Sequence, residues 1–116
     1  MVPTLLEQRR AAWTCRLVQQ HFGADPQADP RARAYAAYLL HERLRRPGLP
    51  VLPGLSYDTI GRLFGLSSSQ TCRIADRLDR RILAGTESQE TINALHERQR
   101  VLLATAAARA RERSAS

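Results

Sequence analysis

The stretch SYDTIGRLFGLSSSQTCRIADRLDRRI, residues 56–82, constrains the fold more than any other part of the chain. It predicts two helices joined by a tight turn. Ser56 is placed to cap the first helix, and Asp58 suits its first turn, where backbone N–H groups lack partners. Ile60, Leu63 and Phe64 fall at helical spacing, so one face is apolar. Gly65 is the expected stop, because a left-handed terminal residue is cheapest as glycine. Leu66 turns back toward the core. Ser67 and Gln70, three residues apart, form a capping box for the second helix. In that helix Thr71, Ile74, Ala75, Leu78 and Ile82 share one face, and Ser69, Gln70, Arg73, Arg77 and Arg80 share the opposite one. A short helix crossing a longer one with a polar, arginine-bearing outer face is the helix-turn-helix pattern. Its second helix suits a DNA major groove.

The rest of the chain supplies a frame for this pair. At 116 residues it is expected to form one all-α domain over 1–112, a bundle of about five helices, with 113–116 as a disordered tail. A helix over 4–22 opens on a Thr4/Glu7 capping box and stops at Gly23. Leu5, Leu6, Trp13, Leu17, Val18 and Phe22 are its apolar positions, with Trp13 either a core anchor or a partner surface. ADPQADP (24–30) is a loop, since each proline pushes its predecessor toward extended geometry. A second helix is expected at roughly 31–45, marked by Tyr35, Tyr38 and Leu39, with Ala36 and Ala37 permitting close packing. Arg43, Arg45 and Arg46 would then complement its C-terminal dipole, within reach of phosphates as well. Residues 46–54, RPGLPVLPG, read as a rigid extended connection without regular structure, packed on the body through Leu49, Val51 and Leu52. Beyond Gly85, Thr86 or Ser88 caps a last helix over about 88–112, carrying Ile92, Leu95, Leu102, Leu103 and Ala106.

Charge and composition narrow the function classes. The net charge is +7, and all 18 basic residues are arginine. That balance implies a polyanionic partner. The lack of lysine excludes a Walker-type nucleotide site. Cys15 and Cys72 lie far apart in expected helices, which favours a reduced, cytosolic state over a disulfide. No apolar run approaches the ~20 residues of a membrane span, and MVPTLLEQRR lacks the order of a signal peptide. The expected location is the cytoplasm, on the nucleoid. His21, His41 and His96 fall in three different helices without paired ligand spacing, so surface or capping roles are expected and no metal. Asp76 and Asp79 are expected to pair with Arg73, Arg77, Arg80 and Arg81 at the surface. No nucleophile elbow, phosphate loop or Cys/His dyad is present, so neither catalysis nor a cofactor is expected.

The candidate DNA contacts divide by chemistry. Arg73 suits guanine O6 and N7, and Gln70 suits adenine if the capping box does not claim it. Ser67, Ser68 and Ser69 join hydroxyls to free N–H groups at a helix N-terminus, which suits a phosphate. Thr71 completes the polar opening of the helix. Arg62, Arg77, Arg80 and Arg81 suit phosphates or solvent.

The order of elements over about residues 14–106 resembles the C-terminal duplex-binding domain of the bacterial replication initiator DnaA, a helix-turn-helix domain of Trp-repressor-like type. LSYDTIGRLFG is similar to that family's LSLPEIGRAFG segment, RARAYAAYLLHE to its long second helix, and SQETINALHERQRVLLA to its terminal helix. The family opens its recognition helix with Arg-Asp-His-Thr-Thr; here those places hold Ser67, Ser68, Ser69, Gln70 and Thr71, so a different site is implied. The family's basic loop before the second helix enters the minor groove; here it is ADPQADPRAR, leaving Arg31 and Arg33. The segment before the helix-turn-helix is longer than the family's by several residues. The resemblance implies double-stranded DNA binding, most directly transcription regulation of the kind found in phage-like or gene-transfer-agent regulators, with RNA polymerase or another regulator as a further partner. A replication-origin-associated role is the first alternative. An alternative of another class is a protein-interaction module using Leu95, Leu102 and Leu103 of the last helix.

Overall fold

The structure, a computed structural model, describes residues 3–46 and 48–115, with the side chains of Arg46 and Ala115 left aside; Met1, Val2, Pro47 and Ser116 lie outside the described residues. It is an all-α bundle, 73% helical, of five helices and one small sheet among the described residues. The elements are α1 (Leu5–Phe22), α2 (Pro30–His41), β1 (Leu44–Arg46), β2 (Leu49–Leu52), α3 (Tyr57–Phe64), α4 (Ser68–Leu83) and α5 (Gln89–Ala115). Among the described residues, no helix is long and apolar enough to cross a membrane.

Most helix ends follow the capping chemistry written in the sequence. Thr4 and Glu7 exchange side chain-to-backbone bonds at the start of α1, which Gly23 ends in the left-handed region (φ 67°). Asp29 caps α2 by accepting from the N–H groups of Arg31 and Ala32, with Pro30 in the first turn, where its missing donor costs nothing. The Ser88 hydroxyl accepts from the Glu90 N–H at the head of α5. That helix continues to Ala115, where an end near 112 is expected.

Two expectations fail between α2 and α3. The second helix ends at His41, not near 45, and Arg43, Arg45 and Arg46 do not sit on its last turn. Residues 46–54 are also not irregular throughout: β1 and β2 form an antiparallel hairpin pairing Leu44 with Leu52 and Arg46 with Leu49. Gly48 turns the hairpin at φ 70°, a conformation that favours glycine. Pro50 is tolerated in this short sheet because each strand has an open edge. Leu49 and Val51 are about half exposed, at 58% and 50%, so they do not pack on the body.

A tertiary lock ends α2. The Leu55 N–H donates to the Leu40 carbonyl at 2.8 Å. Gly54 passes so close that a Cβ there would lie 1.8 Å from the His41 carbonyl oxygen. From α1, the Arg10 guanidinium donates to the carbonyls of Pro53 (2.9 Å), Leu39 (3.3 Å) and Glu42. Helix-terminal carbonyls need such partners, and one buried arginine serves both the helix end and the returning chain. Burial pulls its pKa below the usual arginine value, with Glu42 opposing.

The core lies between α1, α2, α4 and α5. Leu17, Val18, Tyr35, Leu39, Leu78, Ile92 and Leu95 form it, with Trp13 half-buried against it. Each such side chain contributes about 1.5–3 kcal/mol by leaving water. A second cluster of Ala11, Ala37, Leu40, Leu55 and Ile60 seats α3, and Phe64 packs against both. The helix-turn-helix is therefore anchored on two sides.

Candidate nucleic-acid interface

α3 and α4 are joined by Gly65, Leu66 and Ser67. Ser56 caps α3 through the Thr59 N–H, and Gly65 ends it at φ 70°. The Leu66 N–H bonds back to the Gly61 carbonyl at 2.7 Å. Gly61 is the point of closest approach. A Cβ there would meet the Leu66 carbonyl oxygen at 2.5 Å and Thr71 Oγ1 at 2.9 Å. Only glycine lets the helices close to this distance, and that contact fixes how far α4 projects.

α4 divides as its periodicity predicts. Thr71, Ala75 and Leu78 are buried, with Ile74 and Ile82 half-buried beside them. Ser68, Ser69, Gln70, Arg73, Arg77, Arg80 and Arg81 are exposed. From Ser69 to Arg80 the exposed stripe runs about 16 Å at the helical rise per residue. The expected ion pairs of Asp76 and Asp79 with these arginines do not form. Asp76 instead accepts a weak bond from the Cys72 thiol, and both aspartates border a recess with Tyr38, His41 and Tyr57. The side chains of Arg73, Arg77, Arg80 and Arg81 consequently make no hydrogen bond or ion pair among the described residues.

The other candidate contacts fare differently. Gln70 is claimed by the capping box: its Oε1 accepts from the Ser67 N–H at 2.9 Å, while the Ser67 hydroxyl accepts from the Gln70 N–H. Thr71 points inward, and its hydroxyl donates to the Ser67 carbonyl, so it is not part of the outer surface. Arg62 is exposed but pairs with Asp58 one turn earlier at 3.2 Å.

Arg31 and Arg33 serve the loop before α2. Arg33 donates to the carbonyls of Pro26 (3.0 Å) and Gln27 (2.7 Å), clamping that loop. Arg31 lies over the Phe22 ring and pairs with Glu87 at 3.2 Å. Glu87 also accepts from the buried Tyr35 hydroxyl at 2.7 Å. Burial, then this hydrogen bond, pushes the Tyr35 phenol up to about 12. Burial alone would raise the Glu87 carboxyl, but the bonds from Tyr35 and Arg31 outweigh it and hold the group below its usual value. A hollow of about 400 Å³ between α2 and α4 brings Arg31 beside Arg77 and Arg81. Arg33 and Arg62 are not part of that grouping.

The histidines have separate roles. His41 stacks on Tyr57 with ring centroids 4.1 Å apart, His96 pairs with Glu42, and His21 packs edge-on against Phe22. No group of three metal-ligating side chains converges among the described residues. Of the three leucines that a protein-binding α5 would use, Leu95 is fully buried, Leu103 is half-buried and Leu102 is exposed.

Arg43 and Arg45, expected on a helix end within reach of phosphates, are not on that helix. They stand exposed beside the hairpin, and a reading that placed them on a helix end gave no reason to group them with α5. No protein-family model, curated protein or solved structure matches the chain.

Proposed function

We propose that this chain binds double-stranded DNA by laying the outer face of α4 in the major groove, and that it acts as a transcription regulator. One observation carries the reading: Arg73, Arg77 and Arg80 line one exposed stripe of a rigidly seated helix, with no acidic partner among the described residues. An arginine stripe of this kind is available to phosphates and to guanine edges. The net charge of +7 supports it, as does the resemblance of the IGRLFG frame to the initiator's duplex-binding segment. In this arrangement Arg73 reads a base, Ser68 and Ser69 approach a phosphate at the helix N-terminus, and Arg77 and Arg80 track the backbone. RNA polymerase or another regulator is the further partner such a role implies. The same frame keeps an origin-associated role as the second reading.

Selection from a random duplex pool, followed by sequencing, tests the proposal. The retained sequences should share a motif containing guanine, and Arg73→Ala should cost about 1–3 kcal/mol and relax one position of it. Failure to retain any duplex at low salt would sink the reading.

A further inference from the structure

We propose that the groove between the hairpin and α5 docks an acidic peptide segment of a partner protein, anchored by an apolar side chain. The groove encloses about 560 Å³. Arg43 and Arg45 border it on the hairpin side, and His96, Gln99 and Arg100 on the α5 side. Buried Leu44 and half-buried Leu103 supply its floor.

Three observations point to an occupant of this chemistry. First, Gln99 is only 6% exposed, yet its side-chain amide has no hydrogen-bond partner among the described residues. The amide opens onto the groove, where a peptide backbone could bond to it. Second, Arg43 and Arg45 are exposed and have no ion pair among the described residues, whereas His96 and Arg100 are already paired with Glu42 and Glu97. The uncompensated charge at the rim is therefore positive and complementary to carboxylates, which guanidinium groups can hold through two bonds. Third, the floor is aliphatic. A peptide brings carboxylates and a side chain for Leu44 and Leu103 together; a duplex backbone offers only the charge. The site is separate from α4 and does not rest on the DNA-binding reading.

The test is display selection of random 12-residue peptides on the full chain. Recovered peptides should combine Asp or Glu with Leu, Phe or Met. The R43E/R45E double variant should lose at least tenfold in affinity for them while duplex retention changes less than twofold. Gln99→Leu should keep the thermal midpoint of the parent yet weaken peptide binding severalfold, and the Gln99 side-chain amide resonances should shift when peptide is added. Peptides without acidic residues, or equal binding to the charge-reversed variant, would overturn the proposal. So would a charge reversal that abolishes duplex retention and leaves peptide binding intact, since the groove would then be a nucleic-acid surface.

Discussion

Arginines on the α1–α2 side and arginines on α4 have the same chemistry and opposite fates. Arg10 and Arg33 are consumed by backbone carbonyls, and Arg31 by Glu87 and the Phe22 ring. Arg73, Arg77 and Arg80 are left without internal partners on an exposed helix face. Net charge does not separate the two groups. What separates them is whether unpaired acceptors lie within reach. The end of α2 and the loop before it present backbone carbonyls to their arginines, whereas the carboxylates of α4, Asp76 and Asp79, border the recess with Tyr38, His41 and Tyr57 and form no ion pair with the arginine stripe.

Substitutions can break this contrast, beginning with the largest effect. Arg10→Met should destabilise the fold by about 3 kcal/mol, because it removes a buried guanidinium and its hydrogen bonds to the carbonyls of Leu39, Glu42 and Pro53. Urea unfolding measures the loss, and duplex affinity of the remaining folded protein should not change. Arg73→Ala and Arg77→Ala should do the reverse. Stability should stay within about 0.5 kcal/mol, while each replacement that removes a phosphate contact lowers the salt slope of duplex binding by about 1. A stability loss comparable to that of Arg10→Met would erase the contrast.

Glu87 gives a smaller effect with a pH signature. Its carboxyl is held below the usual value in the fold, so its contribution is complete above the ordinary carboxylate pKa. The contribution fades as pH falls through the lowered value. The stability gap between the parent and Glu87→Gln, about 1 kcal/mol near neutrality, should therefore close as pH falls below the ordinary carboxylate range and through the lowered value. A gap that persists into stronger acid would show that the charge is not what Tyr35 and Arg31 recognise. Smallest of all, Arg62→Ala should cost about 0.3 kcal/mol, since an exposed pair one helical turn apart contributes little; double-mutant analysis with Asp58→Ala measures it.

The legible parts of the molecule were those whose signals are local. The capping boxes at Thr4/Glu7 and Ser67/Gln70, the stop at Gly65 and the inward face of α4 each depend on residues a few positions apart. The hairpin was not legible. Its strands are three and four residues long, too short for an alternating pattern, and prolines argue against strands in any sequence. The role of Arg10 was hidden for another reason: its acceptors lie 29 to 43 residues away, and nothing around it in α1 announces them. In the candidate interface, the stripe of Arg73, Arg77 and Arg80 followed from periodicity. The inward turn of Thr71 followed from the same pattern, although its polarity also placed it among the contacts. The engagement of Arg31 and Arg33 required the loop and Glu87 to be seen in space.

If α4 reads DNA as proposed, the capping box limits the alphabet available to it. Reading adenine with glutamine takes both ends of the amide, one to give a hydrogen and one to receive it. Gln70 has turned its receiving end back onto Ser67. In the proposed duplex complex, discrimination in the first turns would fall to Arg73, with the short hydroxyl side chains of Ser68 and Ser69 nearby, which bond to several bases almost equally well. A helix so equipped would spell a word with one firm letter and soft neighbours. Restoring a second firm letter would mean moving the cap to another residue and releasing Gln70 from it.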